Sequence, residues 1–167
     1  DWLNEGGVLE LLVENQGRVN FGPDMLYGER KGICGYAFVM DRVGVKQILS
    51  DWEIYTLPMT KLNNLKYNGG KRLPAFFTGT FAAKEKKDCF VHLENFTKGF
   101  VTVNGFNLGR FWNVGPQLSL YLPWPLLKEN NEITVFEEEC CIKPVVDIRD
   151  YHILNDGTEF SKAKPTI

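Results

Sequence analysis

The stretch Lys98 to Pro123 reads KGFVTVNGFNLGRFWNVGPQLSLYLP, and the fold class is decided there. Val101 and Val103 stand two residues apart, the period of a strand that buries one face. Asn104-Gly105 follows at once. A two-residue type I′ turn needs φ > 0 at both central positions, and these residues tolerate it best. Phe106 to Trp112 is the returning strand, paired through that turn with Val101 and Val103 facing a core. Leu118, Leu120 and Leu122 then alternate with Gln117, Ser119 and Tyr121, which marks another half-buried strand.

The same period extends outward. Leu9, Leu11 and Val13 alternate with Glu10, Leu12 and Glu14; Cys89, Val91 and Leu93 with Phe90 and His92; Ile133 and Val135 with Glu132, Thr134 and Phe136. Further strands are expected at Ile33 to Met40, Val45 to Leu49, Trp52 to Leu57, Phe76 to Phe81, Phe100 to Val103 and Val145 to Leu154. Asp41 to Gly44 reads as a second hairpin turn. Helix signals are confined to one turn at Pro125 to Lys128. Thr60 to Leu73 is rich in Asn and Gly and reads as a loop, and Asn155 to Ile167 as a polar tail. Many short strands with close turns predict an all-β chain, an antiparallel sandwich or barrel.

The chain has 167 residues, room for one domain or two small ones. Its 44% hydrophobic content supplies a core and excludes global disorder. A formal net charge of −2 with no long basic run argues against a nucleic-acid partner. No apolar run approaches the roughly 18 residues of a transmembrane helix, so no membrane partner is expected. The opening Asp1-Trp2-Leu3 lacks an initiator Met and a signal pattern, and reads as an excised piece. The four cysteines show no CxxC spacing, so neither a zinc site nor a redox motif is expected. Cys34 and Cys89 fall in strand-like runs that suit buried free thiols, which points to a cytoplasmic parent.

The chemical inventory is thin. None of the three serines lies in GxSxG, and no HExxH, P-loop, GxGxxG or EF-hand loop occurs. Glu137, Glu138 and Glu139 are consecutive, alternate faces at a strand end, and are expected in solvent. His92 and His152 sit in strand patterns and are expected as satisfied structural histidines. By itself this reads as a non-catalytic β domain with no metal and no cofactor. Exposed aromatics are the remaining lead. Trp112, beside Arg110 and Asn113, and Trp124, between two prolines, lie near turns. Such rings offer the CH face of a pyranose an apolar platform, with Arg and Asn to bond its hydroxyls; they also suit capping the open end of a sandwich.

Four segments in order, Leu12 to Gly22 (LVENQGRVNFG), Asp51 to Met59 (DWEIYTLPM), Pro74 to Phe81 (PAFFTGTF) and Lys98 to Pro123, closely resemble the C-terminal region of family 35 glycoside hydrolases, the β-galactosidases. The resemblance runs from about Val8 to Glu139. In that family a TIM barrel carries two catalytic glutamates and hydrolyses terminal β-linked galactose, and two galactose-binding-like jelly rolls follow it. The resemblance therefore implies a galactose-binding-like jelly-roll β-sandwich at 74–155, the end of a preceding β-sandwich at 1–57, a linker at 58–73 and a tail at 156–167. It implies no catalytic residue here. The implied function is to support the barrel, a partner domain, and to help shape its substrate entrance. Galactosides or glycans are met through the parent. The arm at Leu12 to Gly22 makes Arg18, Asn20 and Phe21 entrance candidates; the family usually has Tyr where this chain has Phe21, so the hydroxyl donor is gone. Two other readings stay open. One is an autonomous carbohydrate-binding module using Arg110, Trp112, Asn113 and Trp124. The other is an oligomerisation module, since strands that have lost partners can pair in a homodimer.

Overall fold

The Asn104-Gly105 turn forms as expected, with φ of +52° and +82° in a computed structural model that describes residues 8–15, 17, 30–62, 65–66, 69 and 72–154. The turn joins two of the nine strands found among the described residues. In chain order these are β1 (Phe38–Met40), β2 (Lys46–Ile48), β3 (Ala75–Ala82), β4 (Cys89–His92), β5 (Lys98–Val103), β6 (Phe106–Trp112), β7 (Ser119–Leu122), β8 (Asn130–Glu137) and β9 (Asp147–Arg149). The chain divides into two compact units, Asp1–Pro58 and Met59–Ile167.

In the second unit β3, β8, β5 and β6 form an antiparallel four-stranded sheet in that order, and β7, β4 and β9 a three-stranded one. The chain passes from one sheet to the other after β3, β4, β6, β7 and β8, so only the β5–β6 hairpin joins strand neighbours directly. This is the expected jelly-roll sandwich. Val101, Val103, Phe111, Ile133 and Val135 face Cys89, Val91, Leu120 and Leu122 across the core. Val101 and Val103 are fully buried, as their spacing predicts. The β5–β6 register slips between Val101 and Thr102, a bulge that leaves Leu108 unopposed. Gly99 has φ +156°, and a Cβ there would collide with the Phe136 carbonyl of the neighbouring strand, so only glycine lets β5 lie this close to β8.

A buried amide locks the hairpin tip. Asn131 Oδ1 accepts from Asn104 Nδ2 at 2.9 Å and from the Lys128 N–H at 2.8 Å, while Asn104 Nδ2 also donates to the Leu126 carbonyl at 2.7 Å. The short 3-10 turn Trp124–Leu126 is thereby held at the same end of the sandwich as Asn104-Gly105.

The first unit is built differently. Asp41 Oδ1 accepts the N–H of Val43 at 3.0 Å and of Val45 at 2.8 Å, and this turn closes the β1–β2 hairpin. Among its described residues none is buried. The strands expected at Leu9–Val13 and Trp52–Leu57 do not form, and Ile33–Met40 is strand only over Phe38–Met40. A strand exists only against a partner, and these segments find no ladder among the described residues. Cys34, expected to be buried, is exposed for the same reason.

Candidate functional site

Of the three acids at the end of β8 only Glu139 is exposed as expected. Glu137 is fully buried, because its side chain turns back under the start of β5. Its carboxylate accepts four backbone N–H groups, from Thr97 at 2.8 Å, Lys98 at 3.3 Å, Glu139 at 2.8 Å and Cys140 at 3.0 Å. Glu138 pairs with Lys98 Nζ at 3.3 Å, and that ammonium lies 5.3 Å from the Trp112 ring centroid. These are structural contacts that tie strand ends together.

Of the sequence candidates, Arg18, Asn20 and Phe21 lie outside the described residues. Arg110 and Trp112 lie at the end of β6, and Asn113 follows in the turn, its N–H donating to the Thr97 carbonyl at 2.8 Å. Trp112 is 44% and Trp124 51% exposed, so neither ring closes off the sandwich. β7 runs back from the Trp112 end, which places Trp124 at the opposite end, beside the Asn104 turn. Trp112 and Trp124 therefore do not share a site.

The chemistry gathers instead on the outward face of the three-stranded sheet. Cys89 and Val91 point into the core, so Phe90 and His92 point out; Leu120 and Leu122 do the same for Tyr121. Strand register sets two rows across β7, β4 and β9: Tyr121, Phe90 and Arg149, then Ser119, His92 and Asp147. The Phe90 ring lies 5.7 Å from Tyr121 and 5.8 Å from His152, each pair tilted. Arg149 donates to Tyr151 Oη at 2.9 Å and to Asp147 Oδ2 at 3.1 Å. At the rim, Asp88 Oδ1 accepts the Trp124 N–H at 2.9 Å, and the Tyr121 hydroxyl donates to the same carboxylate, which raises the Tyr121 pKa.

His92 corrects a second expectation. It is 8% exposed, and its Nδ1 is buried with no hydrogen-bond partner among the described residues. Burial, with Arg149 adding to it, pushes its pKa below the ordinary value, against the opposite pull of Glu94 and Asp147. Among the described residues no three His, Cys, Asp or Glu side chains gather to hold a metal. A cavity of about 270 Å³ opens beside β3, and Thr78 and Thr80 line it together with Phe77, Phe81, Ile133 and Val146.

Nothing in the sequence singles out Tyr121, Phe90, Asp88, Arg149 or Tyr151, and His152 is marked there only as a structural histidine. The alternation in Cys89–His92 and Leu120–Leu122 already placed two of the rings opposite the core. The meeting with Arg149 depends on strand register between segments far apart in sequence, which no local pattern carries.

A jelly-roll sandwich with polar and aromatic groups on one sheet face, preceded by a β unit with no buried residue among its described ones, has the architecture of an accessory β region. Two family models match it: "Beta-galactosidase, first all-beta domain" over residues 3–58 and "Beta-galactosidase, galactose-binding domain" over 74–132. Human beta-galactosidase-1-like protein 2 is 41% identical over 141 residues, 78% of this chain and 21% of that protein. Beta-galactosidase 1 of Dictyostelium discoideum is 34% identical over 153 residues, 84% of this chain and 22% of that one. The beta-galactosidase of Bos taurus is 36% identical over 160 residues, 80% and 23% respectively. The chain belongs to the β-galactosidase family and corresponds to its non-catalytic C-terminal β region. It spans about a fifth of the length of the curated relatives it matches.

Proposed function

We propose that this chain serves a parent β-galactosidase as a non-catalytic support, holding the TIM barrel that hydrolyses terminal β-linked galactose. The observation that carries this reading is the surface of the first unit. Val8, Ile33, Tyr36, Phe38, Met40, Val45, Ile48, Trp52, Ile54 and Tyr55 are all exposed there. Apolar surface on this scale marks a protein contact, and the other parts of the parent are its natural occupant. On this reading Arg18, Asn20 and Phe21 reach the substrate entrance. A homodimer would cover the same surface.

The second reading is a carbohydrate-binding module, favoured by the aromatic face of the three-stranded sheet. All four thiols are free, which supports a parent in the reducing cytoplasm. The test is a chromogenic β-galactoside assay of the isolated chain and of the parent with and without residues 1–167. No turnover by the chain, and a parent that loses stability or activity without it, is the expected result. Turnover that co-purifies with the chain, or a truncated parent equal to the intact one, overturns the reading.

A further inference from the structure

We infer that β3 is the docking edge for an extended strand of the parent polypeptide outside these 167 residues, and that the cavity beside Gly79 receives one bulky apolar side chain of that strand. Its place follows from the geometry of the sandwich, and the choice of occupant rests on the reading of the chain as a support of its parent.

A sheet edge presents a row of main-chain N–H and C=O groups, and proteins ordinarily guard it with short strands, charges, proline or bulges. The sandwich has four edges, β3 and β6 in one sheet and β7 and β9 in the other. β7 has four residues and β9 three, with Asp147 and Arg149 among them. β6 carries Arg110, and its register with β5 is broken by the bulge. β3 has none of these devices. It runs eight residues, AFFTGTFA, without a charge or a proline, and keeps an unbroken register with β8 from Ala75 to Ala82. Thr78, Gly79 and Thr80 at its centre are exposed, and among the described residues no strand pairs with its outer side.

The cavity lies at the same centre. Gly79 pairs with Ile133 and Phe77 with Val135, both core residues, so Phe77, Gly79 and Phe81 form the inward row of β3. Gly79 leaves a gap in that row, because a Cβ there would meet only Ile133 Cγ2, at 3.9 Å. The gap belongs to the cavity of about 270 Å³, which Pro144, Val146 and Ile148 also line. An apolar cavity of about 150 Å³ takes up benzene, so this larger one, mostly apolar in its walls, holds a Leu or Phe side chain. Strand addition joins two such elements, main-chain pairing for affinity and a side-chain pocket for specificity. Exposed Arg72 and Lys84 flank β3, and exposed Lys143 precedes Pro144 at the cavity, so the charge suits a strand with an apolar centre and acidic ends. The chain spans about a fifth of the length of its relatives, which leaves ample polypeptide to supply that strand.

The experiment is hydrogen exchange, read by mass spectrometry, on the 167-residue chain and on its intact parent. In the parent, exchange within Ala75–Ala82 should slow by roughly tenfold or more at the amides that point away from β8. Phe106–Trp112, the other edge of the same sheet, should exchange alike in both. Gly79→Leu fills the cavity, so it should keep or raise the melting temperature of the isolated chain yet abolish the added protection in the parent. Gly79→Ala should keep that protection, and Thr80→Lys, which puts a charge on the edge, should weaken it. Equal exchange of Ala75–Ala82 in chain and parent overturns the inference, and this comparison decides even where a variant fails to fold. So does a slowing shared equally by Phe106–Trp112, or a Gly79→Leu parent protected like the wild type. Protection of β3 in the isolated chain that rises with its concentration marks pairing with a second copy, and also overturns it. A parent that needs residues 1–167 for activity while β3 exchanges alike in both keeps the support role and loses this contact.

Discussion

Replacing Glu137 with Ala should unfold the sandwich at temperatures where the wild type is intact. The Glu137 carboxylate is fully buried and satisfies the N–H groups of Thr97, Lys98, Glu139 and Cys140. Glu139 and Cys140 are exposed, so water replaces the acceptor for their N–H groups at small cost. Thr97 and Lys98 are only part-exposed, and each stranded donor costs about 1–3 kcal/mol. The vacated space adds a packing loss, which brings the sum to roughly 3–5 kcal/mol. At about 4–8 °C per kcal/mol for a domain of this size, Tm should fall by roughly 12–40 °C. Glu137→Gln keeps one oxygen but turns an NH2 towards N–H donors, so it should fall between the two. Urea unfolding at pH 7, followed by tryptophan fluorescence, measures both variants. A Glu137→Ala protein within about 1 kcal/mol of wild type would refute the argument that this carboxylate joins β5 to β8.

His92 is held below its ordinary pKa, so the unfolded chain takes up its proton first as pH falls, near 6.5. Its contribution to stability is therefore complete above that value and is lost as pH drops towards the folded pKa. Denaturation midpoints across pH 4 to 8 should show this loss, and His92→Gln should remove it. Gly99→Ala should prevent β5 from pairing with β8, because its Cβ would meet the Phe136 carbonyl; circular dichroism that retains a cooperative wild-type melt would contradict that.

Much of the second unit was legible in residues 75–137. Alternation identified β3 to β8 to within a residue or two at most ends, and Asn104-Gly105 identified its own turn, because these signals are local. The first unit was not legible in the same way. Leu9–Val13 has the pattern of a strand, but pattern gives only the capacity to pair, and this segment meets no partner strand among the described residues. Glu137 was misplaced because strand-end acids ordinarily face water. Here a carboxylate is the acceptor that four converging N–H groups lack, and that convergence is tertiary. Of the candidate site, the aromatic types were readable and their company was not.

The two outward sheet faces differ in a way that bears on function. On the four-stranded sheet, Phe76, Phe100 and Phe136 lie across neighbouring strands with centroids 4.7 to 6.4 Å apart, and Thr102 and Thr134 are buried beside them. Buried threonines on an outward face mean that this face is already packed within the unit. On the three-stranded sheet the corresponding row ends in a half-exposed Tyr121, with His152 exposed against Phe90 and with Asp88 and Arg149 held in place by hydrogen bonds. A face kept for packing has no need of ionised groups, whose desolvation costs stability. A face that keeps them ordered and wet retains the donors and acceptors a polar ligand requires. Ser119 and His92 are buried in the adjoining row of that same sheet, where the Ser119 hydroxyl accepts the Ile153 N–H at 2.8 Å, so half of this face is packed as well, and substitutions at Ser119 should cost more stability than substitutions at Tyr121.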